Sequence, residues 1–140
     1  MRHKNSVSQT NIERDKEIGT LFQRAKSIAG NYATMERISE IATNLPTSKF
    51  YISEYWASRY VQDRINGKRK TFKSKRKGYL YNALYNSFMR VSAKKEYKHL
   101  SVESRVFIAL EQPAPFIGLS TSTFRRYLID RMKFYQINKQ

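Results

Sequence analysis

Cysteine is absent from this chain and histidine nearly so, with His3 and His99 standing alone. No disulfide, thiolate metal site or cysteine nucleophile can be built, and both histidines read as ordinary surface residues rather than general bases. Glycine is scarce, five residues scattered singly, so the chain has no glycine-rich phosphate loop. No two of the 11 acidic residues fall at the spacing of a metal pair. Glu13, Asp15 and Glu17 alternate with Arg14 and Lys16, the pattern of a solvated helix start. No apolar run approaches the roughly 20 residues of a spanning helix. The N-terminus, Met1 to Ser6, carries no apolar stretch of the kind a signal peptide needs. These absences predict a non-enzymatic protein of the cytoplasm, with no metal, no cofactor and no membrane association.

Positive charge is what the chain has in excess. Its 140 residues hold 27 Lys and Arg against 11 Asp and Glu, a net of +16. A polyanion suits such an excess, nucleic acid being preferred to the competing anionic membrane surface, because each phosphate neutralised releases condensed counterions. The charge is unevenly spread: residues 1–66 carry 10 basic and 7 acidic residues, a net of +3, and residues 67–140 carry 17 and 4, a net of +13. Seven basic residues lie between Gly67 and Gly78: Lys68, Arg69, Lys70, Lys73, Lys75, Arg76 and Lys77. Glycine at both ends predicts a solvated linker, whose contacts with phosphates would be independent of sequence. Phe72, inside the run, could stack on a base or wedge into a minor groove, but reads better as an anchor on the protein surface. The ten tyrosines sit mostly in helical stripes, where core packing is a better use than a recombinase nucleophile.

The chain also repeats itself. Residues 46–65 align with residues 113–132, and six of the 20 pairs are identical: Pro46/Pro113, Ser53/Ser120, Arg59/Arg126, Tyr60/Tyr127, Asp63/Asp130 and Arg64/Arg131. Ordinary residue frequencies give roughly one by chance. The apolar pairs Phe50/Ile117, Ile52/Leu119, Val61/Leu128 and Ile65/Met132 keep the same register. One structural unit is used twice.

Each unit reads as three helices. Ile18, Leu21, Phe22, Ala25 and Ile28 recur at helical spacing from near Ile12 to Ala29, where Gly30-Asn31 is a stop signal. Met35, Ile38, Ile41, Ala42 and Leu45 mark a second helix, halted before Pro46. Ser53 is a candidate N-cap for a third, with Trp56, Ala57, Tyr60, Val61 and Ile65 on its inner face. In the second unit Leu80, Leu84, Phe88 and Val91 form the first stripe, and Ser101 opens a helix that Pro113 stops. Ser120 caps the last, with Phe124, Tyr127, Leu128, Met132 and Tyr135 inward. The fold expected is all-α: two tandem, related three-helix units, residues 12–66 and 79–137, joined by a basic linker over 67–78 and preceded by a flexible tail over 1–11.

A helix, a connection and a capped helix with basic residues in its first turns is how a helix-turn-helix enters the major groove. The outward positions of the last helix are Thr121, Ser122, Arg125, Arg126 and, further on, Ile129 and Lys133. Arginine can pair with guanine, and Ser or Thr can reach phosphates or bases. The matching set in the first unit, Glu54, Tyr55, Ser58, Arg59, Gln62 and Asp63, is close to neutral. The second unit is therefore the expected DNA reader. The connection Pro46–Ile52 exceeds the roughly 3–4-residue turn of a strict helix-turn-helix, so the units are helix-turn-helix-like. The candidate nucleic-acid-binding residues are Lys68, Arg69, Lys70, Lys73, Lys75, Arg76, Lys77, Thr121, Ser122, Arg125, Arg126 and Lys133.

The segments PTSKFYIS (46–53) and PAPFIGLS (113–120), each followed by an Arg-Tyr helix, resemble a group of small tandem-repeat proteins of Bacteroidetes phages and mobile elements, in which a PAPxFYxS-like segment occurs twice. The resemblance spans residues 12–133 and brings no activity with it. The second copy departs from the pattern at Gly118, where the first has Tyr51. A phage or mobile-element setting is what the resemblance implies, with the protein in the host cytoplasm or the virion. The expectation is a nucleic-acid binder, DNA before RNA, with homo-oligomers or other phage proteins as further partners. The alternative is a virion or connector component that meets the packaged genome.

Overall fold

The structure, a computed structural model, describes the backbone of residues 2–139 and the side chains of residues 11–130. Within that range it is all-α: α1 (Arg2–Ala29), α2 (Met35–Ala42), α3 (Glu54–Ile65), α4 (Lys75–Ala93), α5 (Val102–Leu110) and α6 (Thr121–Lys139), with a short 3-10 turn at Lys95–Tyr97. The tail expected over 1–11 falls mostly outside the described side chains, and α1 is bounded at Arg2. The inward positions expected at Met132 and Tyr135 also lie outside them.

Hydroxyl caps start the helices. Thr34, Ser53, Ser74, Ser101 and Ser120 each accept a hydrogen bond from the backbone N–H three residues on, at 3.1–3.3 Å, satisfying a donor the helix cannot. Thr34 and Ser101 stand 67 residues apart, as do Ser53 and Ser120, so the repeat reaches back to the start of α2. Burial follows the same spacing: Ser39/Val106, Ala42/Ala109, Thr43/Leu110, Thr47/Ala114, Phe50/Ile117, Ala57/Phe124 and Val61/Leu128 are buried in both copies.

The two units do not follow chain order. One comprises residues 1–45 and 119–140, hence α1, α2 and α6; the other comprises residues 46–118, hence α3, α4 and α5. In the first, α2 packs against α1 and α6; in the second, α5 packs against α4 and α3. Each copy keeps its first two helices and gives its third to the other. The connectors supply the reason. Thr47 and Ala114, equivalent in the repeat, exchange both backbone hydrogen bonds, at 3.0 and 3.1 Å. Phe50 N–H then donates to the carbonyl of Leu110 at 2.8 Å, which delivers α3 to the end of α5. Paired in this way, the connector leads α3 onto α5. The all-α class is as the pattern predicts; the tandem grouping is not what the units show.

The core of the first unit is Ile18, Leu21 and Ala25 of α1, Ile38 and Ala42 of α2, and Phe124 and Leu128 of α6. That of the second is Leu80, Leu84, Phe88 and Val91 of α4, Val106, Ala109 and Leu110 of α5, and Ala57 and Val61 of α3, closed by Phe50 and Ala114. The Ser87 hydroxyl, fully buried, donates to the Ala109 carbonyl at 3.0 Å, tying α4 to α5. Trp56, Ile65 and Ile28, expected inward, are exposed. On α3 the buried line is Ala57–Val61, and Trp56 lies beside it.

The basic run is only partly a linker. Lys75, Arg76, Lys77 and Gly78 belong to α4, because Ser74 caps it. Phe72 is the surface anchor, stacked on Tyr81 with ring centroids 4.9 Å apart and tilted on Tyr60 at 5.9 Å. It lies 3.5 Å from where a Cβ on Gly78 would stand, an ordinary van der Waals contact, so an alanine there would fit against the ring.

Candidate nucleic-acid interface

Several basic side chains are held by the fold itself. Arg14 donates to the Tyr127 hydroxyl at 3.5 Å with its guanidinium 5.0 Å from that ring's centroid. Arg64 donates to Tyr60 (3.1 Å) and to Asn82 Oδ1 (2.7 Å), and lies 4.0 Å over Tyr85, joining α3 to α4. Arg105 donates to Ser92 Oγ at 3.0 Å and lies 5.2 Å over Phe88. Lys49 pairs with Glu111 at 3.6 Å. Arg76 belongs to this group: its guanidinium sits 4.0 Å over Phe116 and donates to the Ile117 carbonyl at 3.2 Å. Burial lowers its pKa, as it raises that of Tyr81. Arg76, a candidate for phosphate contact by sequence, is a clasp between α4 and the second connector.

The other candidates fall on two surfaces, one in each unit. In the unit of α1, α2 and α6, an open hollow is lined by Ser120, Thr121, Ser122, Arg125, Arg126 and Ile129 of the α6 end. Glu36 of α2 is the acidic member of its wall. Ser120 is the cap and also contacts the Ser122 and Thr123 hydroxyls. Thr121 is half-buried and shares a 3.3 Å hydrogen bond with the buried Thr43, so it serves packing. Ser122, Arg125, Arg126 and Ile129, spaced i, i+3, i+4 and i+7, line one exposed helical face. Lys133, one turn further, lies outside the described side chains.

In the unit of α3, α4 and α5, a second hollow is lined by Trp56, Arg59 and Asp63 of α3 together with Lys68, Arg69 and Lys70. Trp56, Arg59 and Asp63 share a face by helical spacing. The chain after α3 is folded back to join them. Gly67, at φ +81°, takes the left-handed conformation that favours glycine. Its N–H donates to the Arg64 carbonyl at 3.1 Å, and that of Lys68 to the Asp63 carbonyl at 2.8 Å, the paired bonds of a Schellman stop. Lys70 Nζ then lies 5.2 Å from the Trp56 ring centroid and 5.6 Å from that of Phe72. Lys73, Lys75 and Lys77 are exposed around the start of α4, the end at which the helix dipole disfavours cations.

Sequence reasoning took Trp56 as core and the neighbouring run as a solvated linker that meets phosphates, and so did not bring the two together. Gly67 one residue past the helix C-cap was the available signal. Among the described residues no group could hold a metal ion, and no helix is long and apolar enough to cross a membrane. No family model, curated protein or solved structure matches the chain.

Proposed function

We propose that this chain is a non-enzymatic nucleic-acid-binding protein that takes duplex DNA on the exposed face of α6. What carries the reading is the state of Arg125 and Arg126. Arg14, Arg64, Arg76 and Arg105 are engaged inside the fold, whereas Arg125 and Arg126 are exposed beside Ser122 and Ile129 with no ion pair among the described residues. A helix face of this make-up suits the major groove: Arg can take guanine O6 and N7, Ser can reach a phosphate, and Ile can meet a thymine methyl. The +16 net charge supplies the non-specific attraction. In this reading the chain serves a phage or mobile element as a DNA-binding factor.

Arg125→Ala and Arg126→Ala tests it. A bidentate guanine contact is worth about 1–3 kcal/mol, so at least one variant should lose about tenfold or more in duplex affinity by anisotropy, with its melting temperature unchanged. Unaltered duplex binding in the double variant contradicts the assignment to α6. The virion reading, in which a basic surface meets packaged genome without reading it, then takes its place.

A further inference from the structure

We propose that the hollow at Trp56 is a stacking site for an unpaired base of a single-stranded polynucleotide, with Arg59, Lys68, Arg69 and Lys70 holding its phosphates. The proposal rests on the nucleic-acid reading above but on different residues in the other unit. Trp56 is 49% exposed and its neighbour Tyr55 62%, although these are the side chains with the most to gain from burial. The scaffold does not ask for them. At the equivalent positions of the second copy stand Ser122 and Thr123, and α6 is capped and packed there without an aromatic.

The ring is also held in place. Tyr55 meets it edge-on, with centroids 5.0 Å apart and planes at 82°, and donation from Arg59 to the Tyr55 hydroxyl at 3.0 Å fixes Tyr55 in turn. Four basic residues against Asp63 surround the ring. Lys70, 5.2 Å from the ring centroid, is placed to leave the ring for a phosphate as a base arrives. A fixed aromatic platform rimmed by cations is the arrangement that binds single strands with little sequence preference. A duplex keeps its base faces stacked and offers the ring nothing, so the two surfaces divide the substrates: α6 for paired DNA, Trp56 for unpaired strand.

Trp56 is the only tryptophan in the chain, so fluorescence excited beyond the tyrosine absorption band reports this site alone. Short oligodeoxyuridylate or oligouridylate should quench it, the tighter of the two naming the natural sugar, while a blunt duplex of equal length should quench it little. Trp56→Thr, which installs the residue of the other copy, should weaken binding of a labelled oligonucleotide by about tenfold or more, the loss of roughly one stacked base. Trp56→Phe should hold it within about threefold, since a benzene ring also stacks. Quenching should persist in the Arg125→Ala/Arg126→Ala variant. Wild-type oligonucleotide affinity in Trp56→Thr, or equal quenching by polyglutamate, overturns the proposal even if α6 proves to bind duplex. Quenching with a Trp56→Thr defect but no duplex binding upholds this site and removes the α6 reading.

Discussion

At the scale of single residues, two of the six identities between the two copies are explained by what the side chains touch. Ser53 and Ser120 cap helices. Tyr60 and Tyr127 are half-buried and accept from Arg64 and Arg14. Arg59 donates to Tyr55, a partner its counterpart Arg126 does not have because Ser122 stands there. An identity in the repeat is therefore no guarantee of a shared role, and charge alone does not separate binders from clasps. Arg76 makes the sharpest case. It loses both a cation–π contact and a charged hydrogen bond on truncation, so Arg76→Ala should cost about 1–3 kcal/mol of stability. Arg76→Lys should restore little, since an ammonium cannot both stack on Phe116 and keep the planar fork. Chemical denaturation of the two variants checks this. Wild-type stability in Arg76→Ala, with lost nucleic-acid affinity, would return Arg76 to the binding surface.

At the scale of elements, local chemistry made the helices readable in advance. The caps at Ser53, Ser101 and Ser120, the stops at Gly30 and Pro46, and the apolar spacing of α2, α3 and α5 lie within a few residues of chain. Which helix packs with which was not readable, because the pairing of the connectors at Thr47 and Ala114 is made by backbone atoms, which leave no mark in a residue pattern. The same holds for the candidate site. The exposed face of α6 follows from helical spacing, whereas the Trp56 hollow needs the fold-back at Gly67, a property of φ rather than of charge. The exchange of third helices has a direct consequence. Residues 1–70 contribute α3 to the unit of α4 and α5, and residues 71–140 contribute α6 to the unit of α1 and α2. A protease site inserted between Lys70 and Thr71 should yield two fragments that stay associated in native buffer and separate only in denaturant. Fragments that part on size exclusion without denaturant would contradict the exchanged pairing.

At the scale of the whole molecule, regrouping the helices redistributes the charge. By chain order the first 66 residues look almost neutral. By structural unit, residues 46–118 carry 15 basic and 5 acidic residues, a net of +10, and the remainder carries 12 and 6, a net of +6. Neither unit is neutral, so net charge alone does not single out one of them as the DNA reader. With both units positive, self-repulsion destabilises the free protein, and a polyanion relieves it.

Whether phosphates are that polyanion is the claim on which both surfaces depend, and the salt dependence of duplex binding tests it most directly. If about six phosphates are neutralised, affinity measured by anisotropy should fall on the order of a thousandfold between roughly 50 and 200 mM salt. Absence of binding by duplex and single strand alike at the low end, or an affinity that hardly changes across the range, would contradict the account.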